Sequence, residues 1–163
     1  MPIVSTDPWA CGPGTASGTF DYFIEAILDP TGDTPIRSDF ISSEDDNILV
    51  QGIANEADAL GYFGYAYVVE NLGRVRALAI DGGAGPVLPT EATIKDGSYA
   101  PLSRPLFVYG ATVHPGGLSL TRAVVRDFLR FGFTARGTEL VDATGYVSLT
   151  ASEIAVEVAK IPP

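Results

Sequence analysis

The stretch GPGTASGTF at residues 12–20 leads directly into a helical pattern, and the fold can be interpreted outward from it. Apolar residues then recur with the i, i+3, i+4, i+7 spacing that predicts an amphipathic helix. They are Phe20, Phe23, Ile24, Ile27 and Leu28. A glycine-rich loop at a helix start directs several backbone N–H groups toward one point, where the helix dipole favours an oxyanion. The same residues also suit a simple turn with a Ser or Thr N-cap, so both interpretations stay open.

Composition excludes several classes of protein. The 163 residues match one domain, and 20 acidic against 10 basic residues give a net charge of −10. This charge argues against nucleic acid and anionic membranes as partners. Cys11 is the only cysteine, which excludes an internal disulfide, and without a Cys/His cluster we predict no metal site. Residues 1–11 lack the features of a signal peptide and no run approaches the roughly 18 apolar residues of a membrane span, so we expect no membrane insertion.

Helical and strand patterns alternate along the chain without a repeat, which predicts a layered α/β domain. Strands are expected at about 8–11, 59–65, 74–80 and 104–109. Helices are expected at about 19–29, 46–57 and 66–71, from Pro89, from Ser119, and after the capping box at 150–153. The run 104–109 is almost continuously apolar, which is typical of a strand covered on both faces.

The inventory of reactive residues disfavours an enzyme. Five residues rather than four separate the outer glycines of the loop and no lysine follows, so it is not a P-loop. The only histidine, His114, lies in a Pro/Gly loop and is a weak candidate for a Ser–His pair. The glycine spacing does resemble a dinucleotide-binding loop, with Asp33 or Asp39 as the acid for the ribose. We therefore predict a non-enzyme without a cofactor, and keep a dinucleotide-dependent enzyme as an alternative.

Five segments in order resemble the phosphate-binding proteins of bacterial phosphate ABC importers. They are GPGTASGTFDYFIEAI at 12–27 with RSD at 37–39, SSEDDNILVQGIA at 42–54, ALGYFGYAY at 59–67, DGSYAPLSRPLFVY at 96–109 and GYV at 145–147. The resemblance runs from about residue 11 to about residue 149, which is most of the chain. The resemblance implies a periplasmic-binding-protein-like fold of type II, a layered sheet with helices on both faces. Members of that family have two α/β lobes that close on the anion, so this fold is expected to be incomplete relative to theirs.

The same resemblance implies a site for inorganic phosphate at the SGT turn. The N–H and hydroxyl groups there would be the ligands, with one further hydroxyl nearby. The residues implied are Thr15, Ser17, Gly18 and Thr19.

Recognition of a tetrahedral phosphate also requires an arginine, since its planar fork gives bidentate, charge-assisted bonds. Many relatives have it four residues before the serine of SGT, where this chain has Pro13. We therefore assign the role to Arg37, against the simpler interpretation of a surface arginine paired with Asp39. Two further departures are Ala16, where relatives often have an acid, and Ser148, where they often have proline.

The family's architecture predicts a flexible lead-in at 1–7, a ligand-binding lobe at 8–65, and a part at 66–163 that completes the other lobe. The N-terminal segment of the first lobe is expected to be absent, which predicts weak, roughly millimolar, phosphate binding by a monomer. Expected partners are phosphate, the membrane subunits of an ABC importer or a complementary lobe, and a homodimer through exposed edges. The resemblance implies a periplasmic location, whereas the missing signal peptide implies a cytoplasmic one. An interaction or remnant domain without a ligand is the main alternative.

Overall fold

A three-stranded parallel sheet forms the centre of the first half of the chain. The structure is a computed structural model that describes residues 9–28, 39–110 and 122–163. The strands are β1 (Ala10–Gly12), β2 (Ile41–Ser42) and β3 (Leu60–Gly61), in the order β2-β1-β3. Cys11 pairs with Ile41 on one side and with Gly61 on the other. The central strand is therefore the one that enters the glycine-rich loop.

Three helices accompany this sheet. The first, α1 (Gly18–Phe23), continues in π-helical form over Ile24–Leu28. It is followed by α2 (Asp46–Asn55) and α3 (Tyr65–Glu70). The helices predicted at 19–29, 46–57 and 66–71 are thus confirmed to within a few residues. Asp45 caps α2 by accepting a bond of 2.9 Å from the Asn47 N–H.

Helices cover both faces of the sheet, because neighbouring residues of β1 point to opposite sides. On one face, a Cβ built at Gly52 of α2 would lie 3.2 Å from the Cys11 Sγ. On the other, a Cβ at Gly12 would lie 2.5 Å from the Tyr62 ring, which stacks on Phe23 of α1 at 3.9 Å. The buried apolar side chains of the described residues are Cys11, Phe20, Leu49 and Val50. Cys11 is accordingly the small buried residue that its strand position predicts.

The second half of the chain is mainly helical. A short antiparallel hairpin pairs β4 (Ile80–Asp81) with β5 (Pro86–Val87), and α4 (Glu91–Lys95) follows. The remaining helices are α5 (Ala123–Gly132), α6 (Ala135–Ala143) and α7 (Ala151–Ala159). The capping box predicted before the last helix is confirmed, since the Thr150 N–H donates to the Glu153 carboxylate at 2.7 Å.

Three predicted strands differ from the structure. Residues 104–109 belong to no strand, although their sequence is typical of a buried one, and the predicted strand at 74–80 retains only Ile80. The strand expected at 59–65 is reduced to Leu60–Gly61, with Tyr65 already in α3. An apolar pattern fixes the preference for a strand, but a strand forms only where a neighbour pairs with it. The lead-in at 1–7, His114, Ser119 and the turn before Arg37 lie outside the described residues.

Candidate functional site

The glycine-rich loop leaves the carboxyl end of the central strand and enters α1. Two backbone bonds shape it: the Ser17 N–H donates to the Gly14 carbonyl at 3.0 Å, and the Ser43 N–H donates to the Gly12 carbonyl at 3.3 Å. Ligands of open parallel sheets bind beyond the carboxyl ends of the strands. The loop therefore occupies the position in this sheet where a ligand is expected.

Ser17 caps α1. Its hydroxyl oxygen accepts the Thr19 N–H at 3.2 Å, which leaves the hydroxyl proton of Ser17 free to be donated to another group. Gly18 is the first residue of the helix, where N–H groups have no intrahelical acceptor. Thr15 is exposed and Thr19 is partly exposed. Ser17, Gly18 and Thr19 thus form the N-cap and the first residues of α1, and Thr15 lies in the turn before them. Arg37 lies outside the described residues.

Arg104, for which the sequence predicted no role, lies beside this loop. A Cβ built at Gly18 would be 3.6 Å from the Nη2 of Arg104. The Arg104 guanidinium also lies over the ring of Tyr22, 5.1 Å from its centroid, and the Tyr22 hydroxyl donates to the Pro101 carbonyl at 2.5 Å. Tyr22 belongs to α1, so a single side chain fixes the 101–104 segment against the helix. Arg104 was visible in the sequence as the arginine of the segment at 96–109, but its proximity to the loop was not.

Carboxylates flank the other side of the loop. A Cβ at Gly14 would collide with the Glu44 carboxylate, so this negative charge lies directly against the loop. Burial raises the pKa of the Asp46 carboxyl, the charges of Asp45 and Glu44 raise it further, and a hydrogen bond from the Gly64 N–H opposes the rise. These acids disfavour an anion at the loop. An anion site here therefore depends on a nearby cation, and Arg104 is one.

The ring of Tyr62 packs against Gly12, where the glycine-rich loop begins. Its ring stacks on Phe23, and burial raises the pKa of its phenol. Its hydroxyl is buried and has no hydrogen-bond partner in the part of the chain that the structure describes. Leaving such a group unpaired costs about 1–3 kcal/mol.

We expect Tyr62→Phe to stabilise the protein by about 1 kcal/mol, because it removes the unpaired hydroxyl and keeps the stacked ring. Denaturant unfolding monitored by circular dichroism measures the change. Tyr22→Phe is the matched control: its hydroxyl is bonded to the Pro101 carbonyl, so its loss should destabilise by roughly 0.5–1.5 kcal/mol. Destabilisation by both variants would show that the Tyr62 hydroxyl has a partner in solution.

The described residues contain no group of three or more His, Cys, Asp or Glu that could hold a metal ion. Nor does any helix within 9–28, 39–110 or 122–163 have the length and apolar character needed to cross a bilayer.

Comparison with known proteins identifies relatives over most of the chain. No family model matches it. Protein SphX from a Synechocystis strain is 41% identical over 141 residues, which are 84% of this chain and 39% of SphX. The phosphate-binding protein PstS of Staphylococcus haemolyticus is 36% identical over 140 residues, which are 85% of this chain and 41% of PstS. Over this part of their length, the chain is similar in sequence to SphX and to the phosphate-binding protein PstS. It spans about two fifths of the length of these relatives.

Solved structures confirm the fold class predicted from the sequence. A possible phosphate binding protein from Planctomyces limnophilus superposes with a TM-score of 0.67 at 36% identity, over 93% of this chain and 51% of that one. PstS from Borrelia burgdorferi superposes with a TM-score of 0.53 at 14% identity, which supports the fold alone. The small parallel sheet with flanking helices is therefore part of a periplasmic-binding-protein-like fold. The relatives whose names state a function are named for phosphate binding rather than for catalysis, in agreement with the prediction that the chain is not an enzyme.

Proposed function

We propose that this chain binds inorganic phosphate at the start of α1, as part of the substrate-binding component of a phosphate ABC importer. The observation that carries the proposal is the position of Arg104 beside the glycine-rich loop, 3.6 Å from a Cβ built at Gly18. A glycine loop and a helix start provide dipoles, and the guanidinium adds a full positive charge. The homology to phosphate-binding proteins supports phosphate as the anion.

The donors proposed for the anion are arranged around the first turn of α1. The hydroxyls of Ser17 and Thr19 and the N–H of Gly18 lie closest to the helix start, and Thr15 precedes them on the loop. Each can donate to a phosphate oxygen, and hydrogen bonds to a charged group contribute about 1.5–3 kcal/mol each. The donors of this turn therefore orient the phosphate. Because Glu44 repels the phosphate, most of the electrostatic attraction comes from Arg104.

Two arginines are candidates for the cation of this site. Arg37, the arginine expected from the sequence, is not among the described residues. The position of Arg104 supports it as a ligand in its own right, with Tyr22 holding its guanidinium by a cation–π contact. Arg37 remains a second candidate, and substitution separates the two arginines.

The proposal also includes the division of the chain into two parts and the partners of the protein. We retain the ligand-binding lobe at 8–65 and the completing part at 66–163, with the importer's membrane subunits as partners on the extracytoplasmic side. The two parts touch where the Tyr22 hydroxyl donates to the Pro101 carbonyl and where the Arg104 guanidinium lies over the Tyr22 ring. Because the donors proposed among the described residues come only from the glycine-rich loop and Arg104, we expect this chain alone to bind phosphate at about millimolar affinity.

Calorimetric titration with phosphate, sulfate and a dinucleotide tests the proposal against its alternatives. We expect heat from phosphate and none from the dinucleotide. Heat from the dinucleotide alone would favour the enzyme, and no heat from any of the three would favour an interaction domain without a ligand.

We expect Thr19→Val to weaken phosphate binding about tenfold, because it keeps the shape of the side chain and removes one donor worth roughly 1.5 kcal/mol to a charged ligand. Thr19→Ser, which keeps the hydroxyl, is the matched control and should bind nearly as well as the parent. The same titration measures both. Equal affinities of the Val variant and the parent would remove Thr19 from the site.

A further inference from the structure

The Glu44 carboxylate lies against the glycine-rich loop, although its own helix does not require it there. Its two neighbours do have a structural role. Asp45 caps α2 by accepting the Asn47 N–H at 2.9 Å. Asp46 accepts a hydrogen bond from the Gly64 N–H. Within the described part of the chain, no hydrogen bond or ion pair holds the Glu44 side chain, so its position points to the loop.

The pairing of β2 with β1 places Glu44 at this loop. Ser42, the last residue of β2, pairs with Gly12, and the Ser43 N–H donates to the Gly12 carbonyl at 3.3 Å. Glu44 follows at the carboxyl end of β2, beside the loop that leaves the carboxyl end of β1. Its carboxylate lies against the buried Gly14, where a Cβ would collide with it. A negative group of the chain is therefore held at the sheet edge where a ligand is expected.

The loop has N–H groups that either a carboxylate or a phosphate can accept. The Ser17 N–H closes a turn onto the Gly14 carbonyl, so the α-carbons of these two residues lie within about 7 Å of each other. Three other N–H groups of the turn and the helix start donate to no acceptor among the described residues. They belong to Thr15, Ala16 and Gly18. Glu44 is thus an anion tethered beside donors that are still available.

We propose that Glu44 is an internal competitor of the anion: its carboxylate occupies the glycine-rich loop while no phosphate is bound, and phosphate displaces it. The occupation of the loop is independent of the ligand, whereas the displacement rests on the proposed function. A group tethered beside a site competes at a high effective concentration, so it lowers the affinity of the site without any external inhibitor. The displaced side chain can turn to solvent, because Glu44 is exposed. Glu44 and Arg104 therefore act in opposite directions on the same anion.

Calorimetric titration with phosphate at fixed ionic strength tests the displacement. We expect Glu44→Gln to bind phosphate about tenfold more tightly than the parent, because the amide carries no charge to compete for the N–H groups or to repel the anion. Glu56→Gln is the matched control, since it removes the same charge at the far end of α2, a helix of ten residues. Such a helix is about 15 Å long, more than the Debye length of about 10 Å at 0.1 M salt. The control should bind as the parent does.

Gly14→Ala moves the carboxylate off the loop without removing its charge. The new Cβ would meet only the flexible Glu44 side chain, and Gly14 does not have a positive φ. We expect this variant to gain about threefold in affinity, and the double variant with Glu44→Gln to gain no more than Glu44→Gln alone, because both changes remove one competitor. A gain with Glu44→Gln and none with Gly14→Ala would overturn the occupation and leave charge repulsion as the cause. Unchanged or weaker binding by Glu44→Gln would overturn the competition, and weaker binding would make Glu44 a ligand of the anion.

Amide resonances of the loop report the occupation without any phosphate. In proton–nitrogen correlation spectra of the phosphate-free protein, we expect the Thr15 and Ala16 resonances to shift in Glu44→Gln and to stay in place in Glu56→Gln. Loop resonances that do not respond to Glu44→Gln would overturn the occupation. If they respond while neither the parent nor any variant binds phosphate, the proposed function and the displacement fail but the contact of Glu44 with the loop stands. The two failures are therefore distinguishable.

Discussion

Replacement of Arg104 by alanine is expected to weaken phosphate binding about a hundredfold or more. The guanidinium can give two parallel charge-assisted bonds, each worth about 1.5–3 kcal/mol, and together they correspond to roughly two orders of magnitude or above in affinity. The loss is larger than for a single hydroxyl because Glu44 lies against the same loop. Without Arg104, its positive charge no longer offsets the repulsion between the Glu44 carboxylate and the anion. Calorimetric titration with phosphate at fixed ionic strength measures the change.

Three other arginine variants serve as comparisons for Arg104→Ala. Arg104→Lys should recover only part of the affinity, because a point charge cannot reproduce the planar fork. Arg136→Ala is the control, since Arg136 forms an exposed pair with Glu139 on α6 and should leave binding unchanged. Arg37→Lys tests the arginine chosen from the sequence. A loss of affinity with Arg37→Lys and none with Arg104→Ala would restore Arg37 as the ligand and contradict the role given to Arg104.

The features predicted correctly from the sequence are those that a few neighbouring residues determine. Ser17 and Thr150 cap helices because a side-chain oxygen is followed within two or three residues by the N–H it accepts. Gly52 meets the buried Cys11 between β1 and α2, which lie where the sequence predicts a strand at about 8–11 and a helix at about 46–57. In each case the interacting groups lie in one element or in two elements with clear periodicity.

The features that were missed depend on contacts between distant parts of the chain. Arg104 lies at the loop because Tyr22 bonds to Pro101, 79 residues away in sequence. No pattern among neighbouring residues reveals this contact between Tyr22 and Pro101. The strand predicted at 104–109 was wrong for a related reason, since an apolar run shows a preference for pairing but not the presence of a partner. Resemblance could suggest the phosphate and the loop, but it could not indicate which arginine lies beside them.

The GYV segment at 145–147 is a third case. The sequence shows its resemblance to the family, but not the physical reason for glycine at position 145. Gly145 has a φ of +77°, and a Cβ built on it would lie 2.7 Å from the Cβ of Ala66 and 2.9 Å from its Cα. Two requirements therefore fix glycine at this position. One is the left-handed backbone, and the other is the contact of the turn after α6 with α3.

We expect Gly145→Ala to destabilise the protein by about 2–5 kcal/mol. The left-handed conformation contributes roughly 1–2 kcal/mol, and the overlap with Ala66 adds about 1–3 kcal/mol because a backbone atom as well as a methyl group must move. Denaturant unfolding measures the free energy. For a chain of this size, each 1 kcal/mol corresponds to a decrease of roughly 2–4 °C in the midpoint of thermal unfolding.

Gly97→Ala separates the two contributions, because Gly97 has a nearly identical φ of +75° and a Cβ there would have nothing within 4 Å. That variant should lose only about 1–2 kcal/mol, the part that belongs to the backbone. The remaining loss at Gly145 is then assigned to Ala66, and Ala66→Gly in the Gly145→Ala background should recover part of it despite the roughly 1 kcal/mol that glycine costs in a helix. Equal losses at Gly97 and Gly145 would mean that the turn after α6 does not press on α3 in solution. A loss at Gly145 that exceeds the loss at Gly97 and falls when Ala66 becomes glycine would establish that contact as the reason this turn requires glycine.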